Sequence, residues 1–182
     1  KLRRRYLTGL LLIAILVVIS QLIMQSLLSS QTYDSNVINI AGRQRMLSQK
    51  ITKLSYYILT EKSATLIKRH RNDLQKTLKE WECSHRGLLN GDQYLGLPDN
   101  NSKNITALFQ ALTPHYQAMV YSATKILSSN NPIELKENVE IISQHESFFL
   151  EIMDEIAFEY AKEAKAKVSF AVWIELFLMT LT

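Results

Sequence analysis

One cysteine, Cys83, in 182 residues excludes an internal disulfide framework and a cysteine-rich zinc module. Five glycines and three prolines are too few for a collagen-like or low-complexity chain. The four histidines, His70, His85, His115 and His145, show no pair at metal-ligand spacing along the chain. His145-Glu146 lacks the second histidine of a zinc protease motif. Phosphate loop, serine triad and carboxylate pair at a turn are all missing, so these residues read as a non-enzyme with no cofactor and no metal. The body of the chain also lacks a basic excess. The net charge is +4, and Lys1, Arg3, Arg4 and Arg5 account for all of it. Residues 34–167 hold 17 basic and 16 acidic side chains, and Glu175 cancels the surplus. A nearly neutral body is no footprint for nucleic acid.

What is present begins with a long apolar run. No residue from Tyr6 to Tyr33 is charged, and Leu, Ile and Val dominate residues 7–28. A bilayer core needs roughly 20 such residues in a helix. The apolar part of a cleavable signal peptide is shorter, about 7–15 residues, so an uncleaved signal anchor is expected. The basic residues ahead of it belong in the cytoplasm. Residues 168–182 turn apolar again, with Trp173 suited to an interface and Glu175 costly inside a lipid phase. The expected organisation is a basic cytoplasmic end at 1–6, a transmembrane helix at 7–28 and an extracytoplasmic domain at 29–167. A second transmembrane helix then starts at 168–182, short of a full span. The alternative for this last segment is an amphipathic helix on a soluble domain. Glu175 sits near the outer boundary or faces another helix.

Between these segments apolar residues recur at helical spacing, with no convincing strand alternation. Ile40, Leu47, Ile51, Leu54 and Ile58 form one seam, and Ile67, Leu74, Leu78, Trp81, His85 and Leu88 a second. A loop with Gly91, Gly96, Pro98, Asp99, Asn100 and Asn101 follows. Ser102 is the expected N-cap of a third helix carrying Ile105, Leu108, Leu112, Met119, Ala123 and Ile126. Pro114 should kink or divide that helix. Asn131-Pro132 opens a fourth, whose seam runs Leu135, Val139, Ile142, Glu146, Phe149, Met153, Ile156 and Tyr160. The fold expected is all-α, an antiparallel up-down four-helix bundle between two transmembrane helices.

Helical phase singles out one more feature. With Ile40 at zero and 100° per residue, the rest of the first seam falls within about 40° of it. Arg45 falls at about 140°, Ile38 at 160°, Gln49 at 180° and Gly42 at −160°, on the opposite face. Gly42 leaves room for another backbone. A two-fold dimer would bring each Arg45 near its own copy. Two guanidiniums about 6 Å apart repel by roughly 3 kcal/mol at an effective dielectric of 20. A small planar anion between them reverses that sign and accepts fork-like hydrogen bonds. Arg43, near −60°, flanks the core face and is an internal ion pair, a solvated side chain or a second cation of the site. A solvated surface role is the plain alternative for Arg45 too.

The run Asn36-Val37-Ile38-Asn39-Ile40-Ala41-Gly42-Arg43-Gln44-Arg45-Met46-Leu47-Ser48-Gln49-Lys50 resembles the first-helix motif of the PilJ-type family. That family is the N-terminal sensory domain of type IV pilus methyl-accepting chemotaxis proteins. The run also looks like that of the related nitrate/nitrite sensor kinases of the NarX type. Trp81, His85, Leu88 and Gly91, then Leu95-Gly96-Leu97-Pro98, resemble the family's second-helix end and loop. Met153-Asp154-Glu155-Ile156, Glu163 to Val168 and Trp173-Ile174-Glu175 look like its exit towards the membrane. In the nitrate sensors the arginine of an Ala-Gly-x-x-Arg-Met run binds the anion between two copies of the first helix. Here Ala41, Gly42, Arg45, Met46 and Ser48 match, whereas Arg43, Gln44, Leu47 and Gln49 depart.

The resemblance implies a bacterial inner-membrane receptor with its sensory domain in the periplasm or outside, acting as a homodimer. Its ligand would be a small inorganic anion, nitrate or nitrite, and its output module (a histidine kinase, a diguanylate cyclase or a chemotaxis signalling domain) would be cytoplasmic. The candidate ligand-binding residues are Arg45, Gly42, Ile38, Gln49, Met46 and Arg43. The alternatives are a ligandless module that senses a protein such as a pilus component, and a structural two-span protein. Among the remaining residues, His85 reads as a hydrogen-bonded core histidine or a ligand contact. Cys83 reads as a buried or partly buried thiol rather than a nucleophile. Glu146 pairs with an inward arginine such as Arg43 or lines a pocket.

Overall fold

The computed structural model describes residues 2–97 and 99–181. Lys1, Pro98 and Thr182 lie outside the described residues, and with them the turn role expected of Pro98. Four helices account for most of the chain: α1 Leu2–Thr60, α2 Ala64–Asn90, α3 Lys103–Ser128 and α4 Pro132–Leu181. Among the described residues there is no strand, only one isolated antiparallel bridge between Asp92 and Leu97. The chain divides into two compact units, Asn36–Tyr160 and the pair of segments 1–35 and 161–182.

The larger unit is built on the four seams. Leu47, Ile51, Leu54 and Ile58 of α1 are buried, as are Leu74, Leu78, Trp81 and Leu88 of α2. Ile105, Leu112, Met119, Ala123 and Ile126 of α3 join them, with Leu135, Val139, Ile142, Phe149, Met153 and Ile156 of α4. Each fully buried Leu, Ile or Phe stabilises the fold by about 1.5–3 kcal/mol relative to exposure. Trp81 is the centrepiece, its ring 4.9 Å from Phe149 edge-on and 4.8 Å from Tyr116. Offset and edge-to-face aromatic contacts of this kind add to the area term.

Helix ends follow local chemistry. Ser102 caps α3, accepting from the Ile105 amide at 3.2 Å. Asn131 does the same for α4, its Oδ1 accepting from the Ile133 amide at 3.0 Å, with Pro132 in the first turn. Between α1 and α2, Glu61 Oε1 accepts from the amides of Lys62 and Ser63 at 2.8 and 2.9 Å. That turn holds its carboxyl below the usual carboxylate range. The far end of α3 is closed from outside: the Arg71 guanidinium donates to the carbonyls of Ile126, Leu127 and Ser129 at 2.6, 2.9 and 2.6 Å. A cation there satisfies carbonyls with no partner in the helix and matches the helix dipole. Pro114 does not divide α3, which is helical on both sides of it.

The loop after α2 turns on two left-handed glycines, Gly91 at φ 81° and Gly96 at φ 64°. A Cβ on Gly91 would lie 2.6 Å from the Asp99 Cα, so this position takes only glycine without rearrangement. Asp92 Oδ1 accepts from the amides of Tyr94 and Leu95 at 2.8 and 3.0 Å, the side-chain-to-backbone turn that Asp favours.

The smaller unit joins the first part of α1 to the last part of α4. Lys167 Nζ donates to Asp34 Oδ1 at 2.7 Å, and the Ser20 hydroxyl donates to Glu175 Oε1 at 3.4 Å. Glu175 thus faces α1. α1 carries a stretch long and apolar enough to cross a membrane, and it is the one such helix among the described residues. Most of its Leu, Ile and Val side chains are exposed, and Leu16, Ile23 and Leu27 form a half-buried stripe.

Candidate functional site

The buried face of α1 is rotated from the expected one. Val37, Ala41, Gln44, Leu47, Ser48 and Ile51 are buried, while Ile40 is half-buried at the edge. The centre of this face lies about 40° from Ile40, towards Ala41 and Ser48. Gln44 occupies it with no exposure, its amide donating to the Trp81 carbonyl at 3.3 Å. Rotation of the frame changes the site. Gly42, Met46 and Gln49 become the most outward residues, all exposed, whereas Ile38 is half-buried. A Cβ at Gly42 would meet nothing within 4 Å, so this surface is open in the single chain.

Arg43 and Arg45 now stand on the two flanks of the buried face, each about 100° from its centre. Each reaches a carboxylate on a different helix. Arg43 pairs with Glu80 of α2, and Arg45 Nη1 pairs with Asp154 Oδ1 of α4 at 2.7 Å. The placement of Arg45 directly opposite the core is therefore corrected: it is exposed, but it leans towards α4 and its charge already has a partner. Its side chain is 44 % exposed and that of Asp154 64 %, so water screens the pair and it is worth about 0.2–1 kcal/mol. One contact also engages only one of the five N–H donors of a guanidinium.

Arg43 takes Glu80, so Glu146 has a different surrounding. Glu146 is half-buried in α4 beside the Thr52 hydroxyl of α1. Burial raises its pKa, and the Thr52 hydrogen bond opposes that in part. His85 is a core residue, 3 % exposed, stacked on Tyr116 at 3.7 Å and edge-on to Phe109. Its Nδ1 has no hydrogen-bond partner, and burial lowers its pKa to about 4. Cys83 is exposed rather than buried.

The residues missed from sequence are Glu80, Asp154 and Gln44. The first two had a signal. Each acid directly neighbours a seam residue, Trp81 or Met153, and so sits at the rim where a flanking arginine of α1 arrives. Gln44 had none, since a polar residue within a motif reads as exposed.

The family described as type IV pili methyl-accepting chemotaxis transducer N-term, PilJ, matches residues 26–141, well over half of the chain. The chain belongs to the PilJ family. No curated protein and no solved structure matches it. The PilJ match contains the whole first-helix motif, α2, the glycine loop, α3 and the first part of α4. It stops short of Asp154, the partner of Arg45, and of the exit segment 153–175. The PilJ assignment makes this a sensory region of the chemotaxis-transducer kind, built as a helical bundle.

Proposed function

We propose that this PilJ domain is the extracytoplasmic sensor of a bacterial transmembrane receptor, an up-down four-helix bundle held between two membrane helices, working as a homodimer. Its ligand is a small anion, nitrate or nitrite by resemblance to the NarX-type sensors. The observation that carries the reading is the exposed Arg45 with a single surface carboxylate partner, on the same helix as an open Gly42.

Asp154 gives the proposal a mechanism. Without ligand, Arg45 ties α1 to α4. A planar anion offers two acceptor oxygens to the guanidinium fork and competes with the single Asp154 contact. In a two-fold dimer the anion also meets the partner copy's cation, an advantage that Asp154 lacks. Binding then exchanges a bond between helices for a bond between protomers. A shift of about 1–2 Å between α1 and α4, typical of helix shifts at interfaces, would pass towards the membrane because both helices contribute to the smaller unit as well.

Isothermal titration of the full chain in detergent micelles with nitrate and nitrite tests this. Saturable heat that disappears in Arg45→Ala, with helicity and melting close to wild type, is the expected result. Absence of heat with any small anion, at concentrations where the dimer forms, overturns the anion reading and favours a module that senses a protein partner. Binding that survives in Arg45→Ala removes the site assignment.

A further inference from the structure

α3 and α4 bring two histidines together that lie thirty residues apart in the chain: His115 Nδ1 and His145 Nδ1 are 3.0 Å from each other. The juxtaposition is built on the core. Leu112 and Met119, one turn either side of His115, and Ile142 and Phe149, one turn either side of His145, are all fully buried. Residues three and four apart share a helix face, so the packing of these four fixes where the two imidazoles meet. The Phe148 ring stacks on His115 at 4.9 Å and 23°, holding the plane of that imidazole. Both histidines are half-buried, so one side of the pair stays open to water.

A neutral imidazole carries one N–H and one lone pair. The pair can be held by one N–H···N hydrogen bond, or each ring can turn a lone pair inward and share a cation. The separation of 3.0 Å is an ordinary hydrogen-bond length and is also close to the spacing of two nitrogens on one ion. At metal–nitrogen distances of about 2.0–2.1 Å, two ligands at a right angle lie about 2.9 Å apart and two tetrahedral ligands about 3.4 Å apart. From 3.0 Å the two rings need only a small movement to share an ion in either arrangement. Tetragonal coordination by nitrogen and oxygen is the preference of Cu(II) and Ni(II), which also stand high in the affinity order for imidazole. Among the described residues no group of three or more His, Cys, Asp and Glu surrounds the pair, so water completes the coordination.

We propose that His115 and His145 form a bis-histidine site for a late divalent transition-metal ion, Cu(II) or Ni(II), which cross-links α3 to α4. The site uses no residue of the anion proposal and is independent of it. The bound ion replaces a single hydrogen bond by two coordinate bonds, and so fixes α4 against α3 while leaving the Arg45 side of α4 free.

The test titrates the full chain in detergent micelles with Ni(II) and with Cu(II). One ion per chain is expected, with a Cu(II) electron paramagnetic resonance spectrum split by two imidazole nitrogens and a melting temperature that rises with metal. His115→Gln and His145→Gln should each lose the stoichiometric event, while His70→Gln keeps it. Either substitution suffices, so a folding failure in one leaves the other decisive. Lack of stoichiometric binding by the parent chain overturns the proposal, as does undiminished binding in the two variants or splitting by a single nitrogen.

Discussion

Both halves of α1 carry many apolar residues and use them in opposite ways. Leu7, Leu11, Ile15 and Val18 are each more than half exposed, whereas Val37, Leu47, Ile51 and Ile58 are at most 3 % exposed. In the second half the buried apolar side chains occupy one stripe, and Arg43, Arg45, Met46, Gln49 and Lys50 lie on the remaining circumference. In the first half they surround the helix. A stripe is satisfied by three other helices, while an apolar cylinder needs an apolar solvent. α4 repeats the contrast: Phe149 is fully buried and Phe170 is 68 % exposed. Helix propensity is therefore shared along each rod, and the surroundings differ.

The contrast sets the largest expected effect. Phe149→Ala should destabilise the larger unit by about 3–5 kcal/mol, the usual cost of an aromatic-to-alanine cavity. Phe170→Ala should stay within about 0.5 kcal/mol in the same denaturation experiment. Equal losses would mean that the two units share one core.

A charge sharpens the comparison from the lipid side. Ile15→Lys should reduce membrane insertion by about 2.5–3.5 kcal/mol, read as the inserted fraction in a translocation assay, and Met46→Lys should leave insertion unchanged. If Ile15→Lys inserts as the parent does, the first half of α1 is not in a bilayer.

Protons separate the units next. His85 titrates at about 4 in the fold against 6.5 when unfolded. Its neutral form belongs to the folded state, so stability is unaffected above pH 6.5 and falls as the pH drops towards 4. The depression corresponds to a loss on the order of 3 kcal/mol by then. His85→Gln should flatten that part of a stability–pH curve. Glu146 acts with the other sign: its raised pKa makes stability fall as pH rises through and above 4.5, the ordinary value, and Glu146→Gln should remove that slope. In the Glu146→Gln background, where the opposing slope is gone, a curve that stays flat between pH 6.5 and 4 would contradict the burial of His85.

The smallest effect concerns the flanking cations. A double-mutant cycle on Arg45 and Asp154 should return about 0.2–1 kcal/mol, as exposed pairs do. The value should shrink when nitrate is present if the anion competes for the guanidinium. A coupling that is independent of nitrate would separate the ion pair from the proposed site.

Much of this was legible from sequence, for reasons that are local. Ser102 and Asn131 cap their helices because a short polar side chain satisfies orphan amides wherever it meets a helix start. The seams of α2, α3 and α4 are buried largely as their spacing implies. The first seam misled by about 40° because Ile40 served as its origin, and Ile40 lies at the edge of the packed surface. Val37 and Ala41 are buried instead, and a small alanine says little about burial in a sequence. Cys83 was misjudged because its residue type is usually buried, although its phase on α2 sets it outside the seam.

By itself the sequence determined where α3 and α4 start, which runs are apolar throughout and which are striped, and the family to which the motif belongs. These follow from propensity, capping and periodicity, which act within a few residues. Only the tertiary structure decided the partners: Glu80 for Arg43, Asp154 for Arg45, the Trp81 carbonyl for Gln44, and His145 for His115. Periodicity fixes the angle between residues on one helix. The rotation and axial offset of that helix against its neighbours are set by how the buried side chains interlock, and that information is shared among segments distant in the chain.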